Sequence, residues 1–368
     1  MGNEQRYMER IRIIDLFSGC GGFSLGAHQA GIDVVAAFDN DPVLASSFPI
    51  NFPNVKMHIR DVSDLKGEDL RTENGKIDGV VGGPPCQGFS AIGKRIPADP
   101  RRQLLQEFFR VVKEVRPSFF VMENVGGLAY ADARGELDAA LNLVCEQYNC
   151  LGPITLNAAE FGAATDRSRL FVLGTHKDEC ESLTVSDFNK EKRPCETVKS
   201  AISDLQGSAF LGEENGFDVW KITAEHEVSN YAGSLRARDE CFTGHRTTQH
   251  CVRVVRRFSE LPQGGLDKIG RHRRLSWKGQ CPALRAGTGS DRGSYQSVRP
   301  VHPEYDRVIT VREAARLQGF PDSHLFHPTT WHSFRMIGNS VSPFVAQGIF
   351  RVISGKLQYG EAETAVAG

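Results

Sequence analysis

The chain has 368 residues, 40% hydrophobic and 24% charged, the balance of a globular protein long enough to bury its own core in two domains or one domain with an insert. A net charge of −1 excludes a uniformly basic nucleic-acid coat, and no apolar run approaches the length that spans a bilayer. Nine scattered cysteines without a Cys-x-x-Cys pair, and an N-terminus without a signal-like apolar stretch, point to free thiols in a reducing cytoplasm and away from a metal site.

The first half alternates strand and helix signals. Ile11–Phe17 predicts a strand closed by Ser18-Gly19-Cys20-Gly21-Gly22, and Leu25–Ala30 predicts the following helix. Val34–Phe38 predicts a second strand, ending at Asp39-Asn40-Asp41-Pro42. A third, Asp78–Val81, runs into Gly82-Gly83-Pro84-Pro85-Cys86. Leu104–Val115 has helical periodicity that Pro117 terminates; Phe119–Met122 is a strand stopping at Glu123. Leu137–Glu146 reads as a helix and Leu170–Gly174 as a strand. This alternation predicts an α/β fold, doubly wound around a mainly parallel sheet, with the ligand site at the strand C-termini.

After Gly174 the pattern changes. Residues 191–305 are turn-rich and predict a smaller, irregular, mostly β domain, with residues 1–190 and 306–368 forming the larger one. Residues 231–300 carry 14 Lys/Arg against 5 Asp/Glu, a basic footprint for a polyanion unless it is only a solvated surface. Order returns at Ile309–Leu317, a helix with Thr310 as N-cap and Glu313 completing a capping box; Ser340–Val352 predicts the last helix.

Several of these residues carry chemistry. A glycine-rich turn between strand and helix lets a ligand approach the backbone, and a carboxylate ending the next strand, Asp39, can accept bonds from two ribose hydroxyls. The spacing is not Gly-x-Gly-x-x-Gly, so a mononucleoside such as S-adenosylmethionine fits better than a dinucleotide. Cys86, in a stiff Gly- and Pro-rich turn, has the setting of a nucleophile rather than of a buried apolar thiol. Glu123 is either a helix cap or a general acid in the same cleft. Arg167 and Arg169 share one strand face, where they either hold a carbonyl oxygen or decorate an edge.

Together these residues resemble the cytosine-C5 methyltransferases, mainly the bacterial DNA enzymes, from Ile13 to about Ile353 except in the basic middle segment. Asp15 to Gly22 is similar to their cofactor loop, Gly83-Pro84-Pro85-Cys86-Gln87 to the nucleophile turn, and Glu123-Asn124-Val125 to the ring-acid motif. Arg167-Ser168-Arg169, Arg312–Asp322 and Gly338-Asn339-Ser340-Val341 match the paired arginines, the segment bracing the recognition domain, and the last motif. Two places depart from the pattern: Thr165 stands where Gln is usual, and Asn40 where many members stack a large side chain on adenine.

The resemblance implies a Rossmann-like, mixed but mostly parallel sheet with a β-rich target-recognition domain. It implies S-adenosyl-L-methionine held by Phe17, Ser18, Gly19, Cys20, Gly21, Gly22, Asp39, Asn40, Asp61, Val62, Gly83, Pro85, Leu104, Asn339, Ser340 and Val341. The catalytic set would be Cys86, Glu123, Arg167 and Arg169, acting on a cytosine swung out of double-stranded DNA. Ser90, Lys94 and Arg95, in a closing loop that also holds Arg101 and Arg102, would contact that DNA, with Arg253, Arg256, Arg257, Arg271, Arg273, Arg274 and Arg285 of the basic region. A monomer working beside a separate restriction endonuclease completes the expectation.

Rival readings remain. A tRNA cytosine methyltransferase shares most motifs, and its Cys-Phe-Thr tripeptide occurs at Cys241-Phe242-Thr243, but 65 positions before Val308, where the run into the last motifs begins. An inactive DNA-binding relative would not need Cys86, Glu123 and both arginines. A nicotinamide dehydrogenase leaves Cys86 and Glu123 unexplained, and an amino-methyltransferase would carry Asp or Asn before the paired prolines instead of Gly83.

Overall fold

The computed structural model describes residues 10–85, 103–129, 131–223, 227–287 and 298–366. The sheet-forming half runs β1 (Arg12–Leu16), α1 (Gly22–Gln29), β2 (Asp33–Asp39), α2 (Phe48–Asn51), β3 (Lys56–Ile59), α3 (Gly67–Asn74), β4 (Gly79–Gly82), α4 (Gln103–Val115), β5 (Phe119–Asn124), α5 (Ala131–Leu141), β6 (Tyr148–Asn157), β7 (Thr165–Asp166) and β8 (Ser168–His176). Next come α6 (Val198–Ile202), β9 (Ala209–Glu214), β10 (Phe217–Lys221), α7 (Asn230–Leu235), β11 (Cys241–Thr243), α8 (Val252–Ser259) and β12 (Cys281–Pro282). The helices α9 (Val311–Gln318), α10 (Thr330–Asn339) and α11 (Pro343–Val366) follow.

Seven strands form one sheet in the order β3-β2-β1-β4-β5-β8-β6. Only β8 is reversed; it runs antiparallel to both β5 and β6. Side-chain alternation makes this sheet a two-sided core. Val80, Phe120 and Met122 face α3, α4 and α5, while Val81, Phe119 and Val121 face α1 and α11. Each such fully buried side chain contributes roughly 1.5–3 kcal/mol of hydrophobic stabilisation.

The strand order reverses between β1 and β4, so their C-terminal ends part and leave a crevice, the usual ligand site of an open α/β sheet. The glycine turn after β1, Asp39 at the end of β2, Gly83 after β4 and Glu123 near the end of β5 all lie at this edge.

The rest of the chain is more irregular. β9, β10 and β11 form a small antiparallel sheet, and β12 pairs with β7. Its apolar residues, among them Ile202, Leu235 and Phe242, share a core with Leu317 of α9 and Ile337 of α10. Thr310 and Glu313 form the expected capping box at the start of α9. Arg316, fully buried, makes two 2.7 Å bonds to Asp322 and one of 3.0 Å to Asp204, which also accepts from Arg236 at 3.0 Å. Charges this deep are tolerated only when every one is paired.

Some elements differ from expectation. The helix expected over Leu137–Glu146 begins at Ala131 and ends at Leu141. Strands β3 and β6 and helices α3 and α10 carry weaker local signals. β6 contains Gly152-Pro153, which reads as a break, and the strand absorbs it as a register slip between Leu151 and Ile154.

Candidate active site

The first wall of the crevice is the turn after β1. Phe17, Gly19 and Gly21 all have positive φ, 58°, 51° and 87°. Gly21 is the N-cap of α1, and a side chain there would strike the Phe52 ring. The turn aims its amides at acceptors: Gly19 N–H donates to Asp39 Oδ2 at 2.8 Å and Ser18 N–H to the Phe38 carbonyl at 3.0 Å. Asp39 Oδ1 accepts from Asp41 N–H at 2.8 Å. Each carboxylate oxygen keeps a further lone pair for a ligand hydroxyl. Burial raises the Asp39 pKa, and the two backbone amides oppose that.

The open space is a cleft of about 470 Å³, within the ordinary range for a small-molecule site. It is lined by Phe17, Ser18, Gly19, Cys20, Gly22, Asp39, Asn40, Gly83, Pro85, Leu104, Asn339, Ser340 and Val341. Glu123 and Arg169 line the same space. Three expected cofactor residues stand elsewhere. Gly21 shapes the turn from behind. Asp61 is half-buried and caps the short turn after β3, accepting from Ser63 N–H at 2.9 Å and from Asn40 Nδ2 at 2.9 Å; the Ser63 amide holds its carboxyl below the usual range. Val62 turns into the hydrophobic core beneath α4.

Glu123 is almost wholly buried, with Arg169 Nε 3.1 Å from its Oε1. Burial pushes its pKa up, while Arg169 and then Arg167 pull against that. Burial that favours the protonated form suits a carboxylic acid that offers its proton to a ring nitrogen. Gly83 makes room for it: a Cβ there would lie 3.1 Å from Glu123 Oε2. Asn124 Nδ2 donates to the Pro84 carbonyl at 3.2 Å, tying the end of β5 to the proline turn. Cys86, Ser90, Lys94 and Arg95 lie outside the described residues, as do Arg101 and Arg102; Pro84 and Pro85, which precede Cys86, line the cleft.

Arg167 does not face the cleft. Its guanidinium is buried and donates to the carbonyls of Leu284 at 3.0 Å, Gly338 at 2.8 Å and Ser340 at 2.8 Å. That corrects the expectation of a second substrate-holding arginine, because three internal carbonyls already engage it. Thr165, at the place where Gln is usual, donates to the Cys281 carbonyl at 3.0 Å.

Two features of the cleft were given no individual role by the sequence reading. Asp15 lines the cleft, fully buried, with Oδ2 accepting from Ser24 Oγ at 2.6 Å and Oδ1 unpartnered; burial pushes its pKa up to about 7. The signal was available, since a carboxylate interrupts the apolar run Ile13-Ile14-Asp15-Leu16. Arg335 and Asp41 also line the cleft as an ion pair 3.3 Å apart, with Arg335 over the Trp331 ring. Their separation by 294 positions left no local signal.

The basic region divides. Arg274 is buried and donates to Asp306 and to the carbonyls of Phe258 and Pro303; Arg257 pairs with the buried Asp267 at 3.0 Å. These two expected DNA contacts are taken up internally. Arg256 pairs loosely with Glu260 at 3.4 Å, and Arg273 donates to the Gly264 carbonyl at 2.8 Å. Arg253, Arg271 and Arg285 are exposed, with no side-chain partner among the described residues.

Two solved structures set the fold in context. A crystal structure of a protein from an E. coli prophage, described as a DNA modification methyltransferase, matches with a TM-score of 0.81 and 37% identity, covering 95% of this chain and 99% of that one. The S. pombe Dnmt2 methyltransferase matches with a TM-score of 0.62 at 19% identity over 95% of this chain and 99% of its own, a likeness of fold alone. Fold and cleft thus define an α/β methyltransferase of the S-adenosylmethionine-dependent class.

The chain belongs to the C-5 cytosine-specific DNA methylase family, whose model matches residues 11–355, and is a DNA cytosine-5-methyltransferase. Among curated relatives, the Type II methyltransferase M.XorII of Xanthomonas oryzae pv. oryzae is 39% identical over 91% of this chain and 82% of its own. M.DdeI of Desulfomicrobium norvegicum is 30% identical over 94% and 88%. The tripeptide Cys241-Phe242-Thr243, weighed as a tRNA-enzyme mark, is β11, where Phe242 is buried and pairs with Trp220.

Proposed function

We propose that the cleft binds S-adenosyl-L-methionine and that Cys86, Glu123 and Arg169 act on the extruded cytosine. The observation that carries this is the buried Glu123–Arg169 pair, 3.1 Å apart, in the same cleft as the glycine turn and Asp39. The donor set fits the cofactor: Asp39 offers lone pairs to the ribose diol, Asn40 and Asp61 stand together for the adenine edge, and unpartnered Asp15 Oδ1 offers an acceptor for an ammonium. When bound, S-adenosylmethionine supplies an electrophilic methyl group.

The chain's own groups then do the following. The Cys86 thiolate adds to C6 of the cytosine, and the displaced electron pair is drawn toward N3, where protonated Glu123 donates. Arg169 keeps Glu123 in place and faces the cytosine carbonyl. Carbon C5 becomes electron-rich and would take the methyl group, the broken sulfur–carbon bond leaving its electrons on sulfur as S-adenosylhomocysteine; C5 then loses its proton to a base, Glu123 takes back the N3 proton, and expulsion of the Cys86 thiolate restores the ring. Residues 191–305 form the recognition unit, with the exposed Arg253, Arg271 and Arg285 among its cations toward duplex DNA. The protein acts as a monomer in a bacterial cytoplasm beside a separate cognate endonuclease, a reading supported by the Type II methyltransferases among its relatives.

Bisulfite sequencing of plasmid DNA from cells expressing the chain tests this directly: 5-methylcytosine should appear at one short sequence. Cys86→Ala should abolish it and also abolish the covalent complex with a 5-fluorocytosine duplex. Methyl transfer to tRNA but not to DNA would sink the reading.

A further inference from the structure

Arg167 lies between two parts of the molecule with different tasks. On one side is the segment from β12 to Ala286, whose Leu284 carbonyl accepts from Nη1 at 3.0 Å. On the other is the turn from Gly338 to Ser340, which lines the cleft and whose two carbonyls accept from Nη2 at 2.8 Å each. The two segments also touch directly: a Cβ on Gly338 would lie 2.4 Å from the Ala286 amide nitrogen. Gln318 of α9 supports the same turn, donating from Nε2 to the carbonyls of Ile337 at 2.7 Å and Ser340 at 2.9 Å. Beside Arg167, Thr165 fastens β7 to the Cys281 carbonyl at 3.0 Å, and Arg169, two residues on, pairs with Glu123.

We propose that Arg167 is a positioning residue that couples occupancy of the cofactor cleft to DNA engagement by the recognition segment 281–286. Resting on the cofactor and DNA reading above, it assigns this arginine to neither ligand. The physical reason is stiffness. One planar guanidinium with fixed donor directions bridges Leu284 to the cleft turn, so neither segment shifts without straining bonds to the other. A ligand that fixes one segment therefore prepares the other, and the effect is reciprocal by linkage.

The test measures S-adenosylhomocysteine affinity by calorimetry, alone and with a duplex carrying the mapped target site, using a scrambled duplex as control. For the wild-type protein the target duplex should tighten binding by about 5–150-fold, the usual span of such coupling. Arg167→Lys keeps the charge but not the three-carbonyl bridge. It should bring that ratio to within about twofold of one, by the same linkage argument. If Arg167→Lys does not fold, Thr165→Val, which removes the neighbouring tie to Cys281 outside the cleft, is measured in its place and should lower the ratio. A wild-type ratio retained in the variant, or no ratio in the wild type, overturns the coupling while leaving the methyltransferase reading intact. No S-adenosylhomocysteine binding by the wild type overturns both.

Discussion

At the residue scale, the proposed chemistry depends on how little room surrounds Glu123. Its carboxyl lies between Arg169 and the bare Cα of Gly83, and burial favours its protonated form. Gly83→Ala would put a Cβ 3.1 Å from Oε2, tighter than an ordinary contact, so the carboxyl must give way by a few tenths of an ångström. A misplacement of about 1 Å in such a site costs on the order of 10²-fold in rate, and a shift of tenths costs less. Single-turnover methylation should therefore slow, by less than about 10²-fold, while S-adenosylhomocysteine still binds. An unchanged rate would show that the Glu123 position is not critical. The sequence identified Glu123 and Arg169 because each sits in a distinctive string. It placed Arg167 beside them for the same reason, and only the observed bonds to Leu284, Gly338 and Ser340 separate its role from theirs.

At the element scale, local signals were strongest where secondary structure is locally determined. The Thr310–Glu313 box begins α9 as expected, because a cap needs only neighbours. β6 was missed because its partner β8 lies across a chain reversal and its Gly152-Pro153 pair reads as a stop. The segment leading to α9 holds a titratable core: His302 is fully buried, stacks on Tyr305 and lies 3.8 Å from Glu313. Burial, ahead of the Glu313 charge that opposes it, lowers the His302 pKa from 6.5 to about 4. The folded value lies below the unfolded one, so between these pH values the unfolded chain binds the extra proton. Stability should fall as pH drops from about 6.5 toward 4, and hold above that window. His302→Gln should flatten this part of the urea-midpoint against pH curve. A slope identical to wild type would show that another group carries the acid sensitivity.

At the scale of the whole molecule, the two regions share one core and one buried charge network through Arg316, Asp322 and Asp204. The basic surface is consequently of two kinds, and composition counts both alike. Arg253→Ala should leave thermal stability unchanged, weaken DNA binding, and reduce the salt slope of binding by about one. Arg274→Met leaves the Phe258 and Pro303 carbonyls without their donor and Asp306, itself partly exposed, without its partner; buried acceptors left unpaired cost about 1–3 kcal/mol. Urea unfolding with filter binding at several salt concentrations would check both variants. Equal stability losses would refute the division.

The sequence by itself determined the alternating fold and the strand-end cleft, and put forward Cys86 and Glu123 as the proposed chemical pair, because turns, caps and strand ends are written in adjacent residues. Tertiary structure alone decided which arginines are engaged internally, that Asp15 enters the cleft with Oδ1 unpartnered among the described residues, and that Arg335 meets Asp41 across 294 positions. Partners in a buried network are chosen by packing between distant segments, and a linear string of residues does not record which carbonyl or carboxylate folding brings within 3 Å.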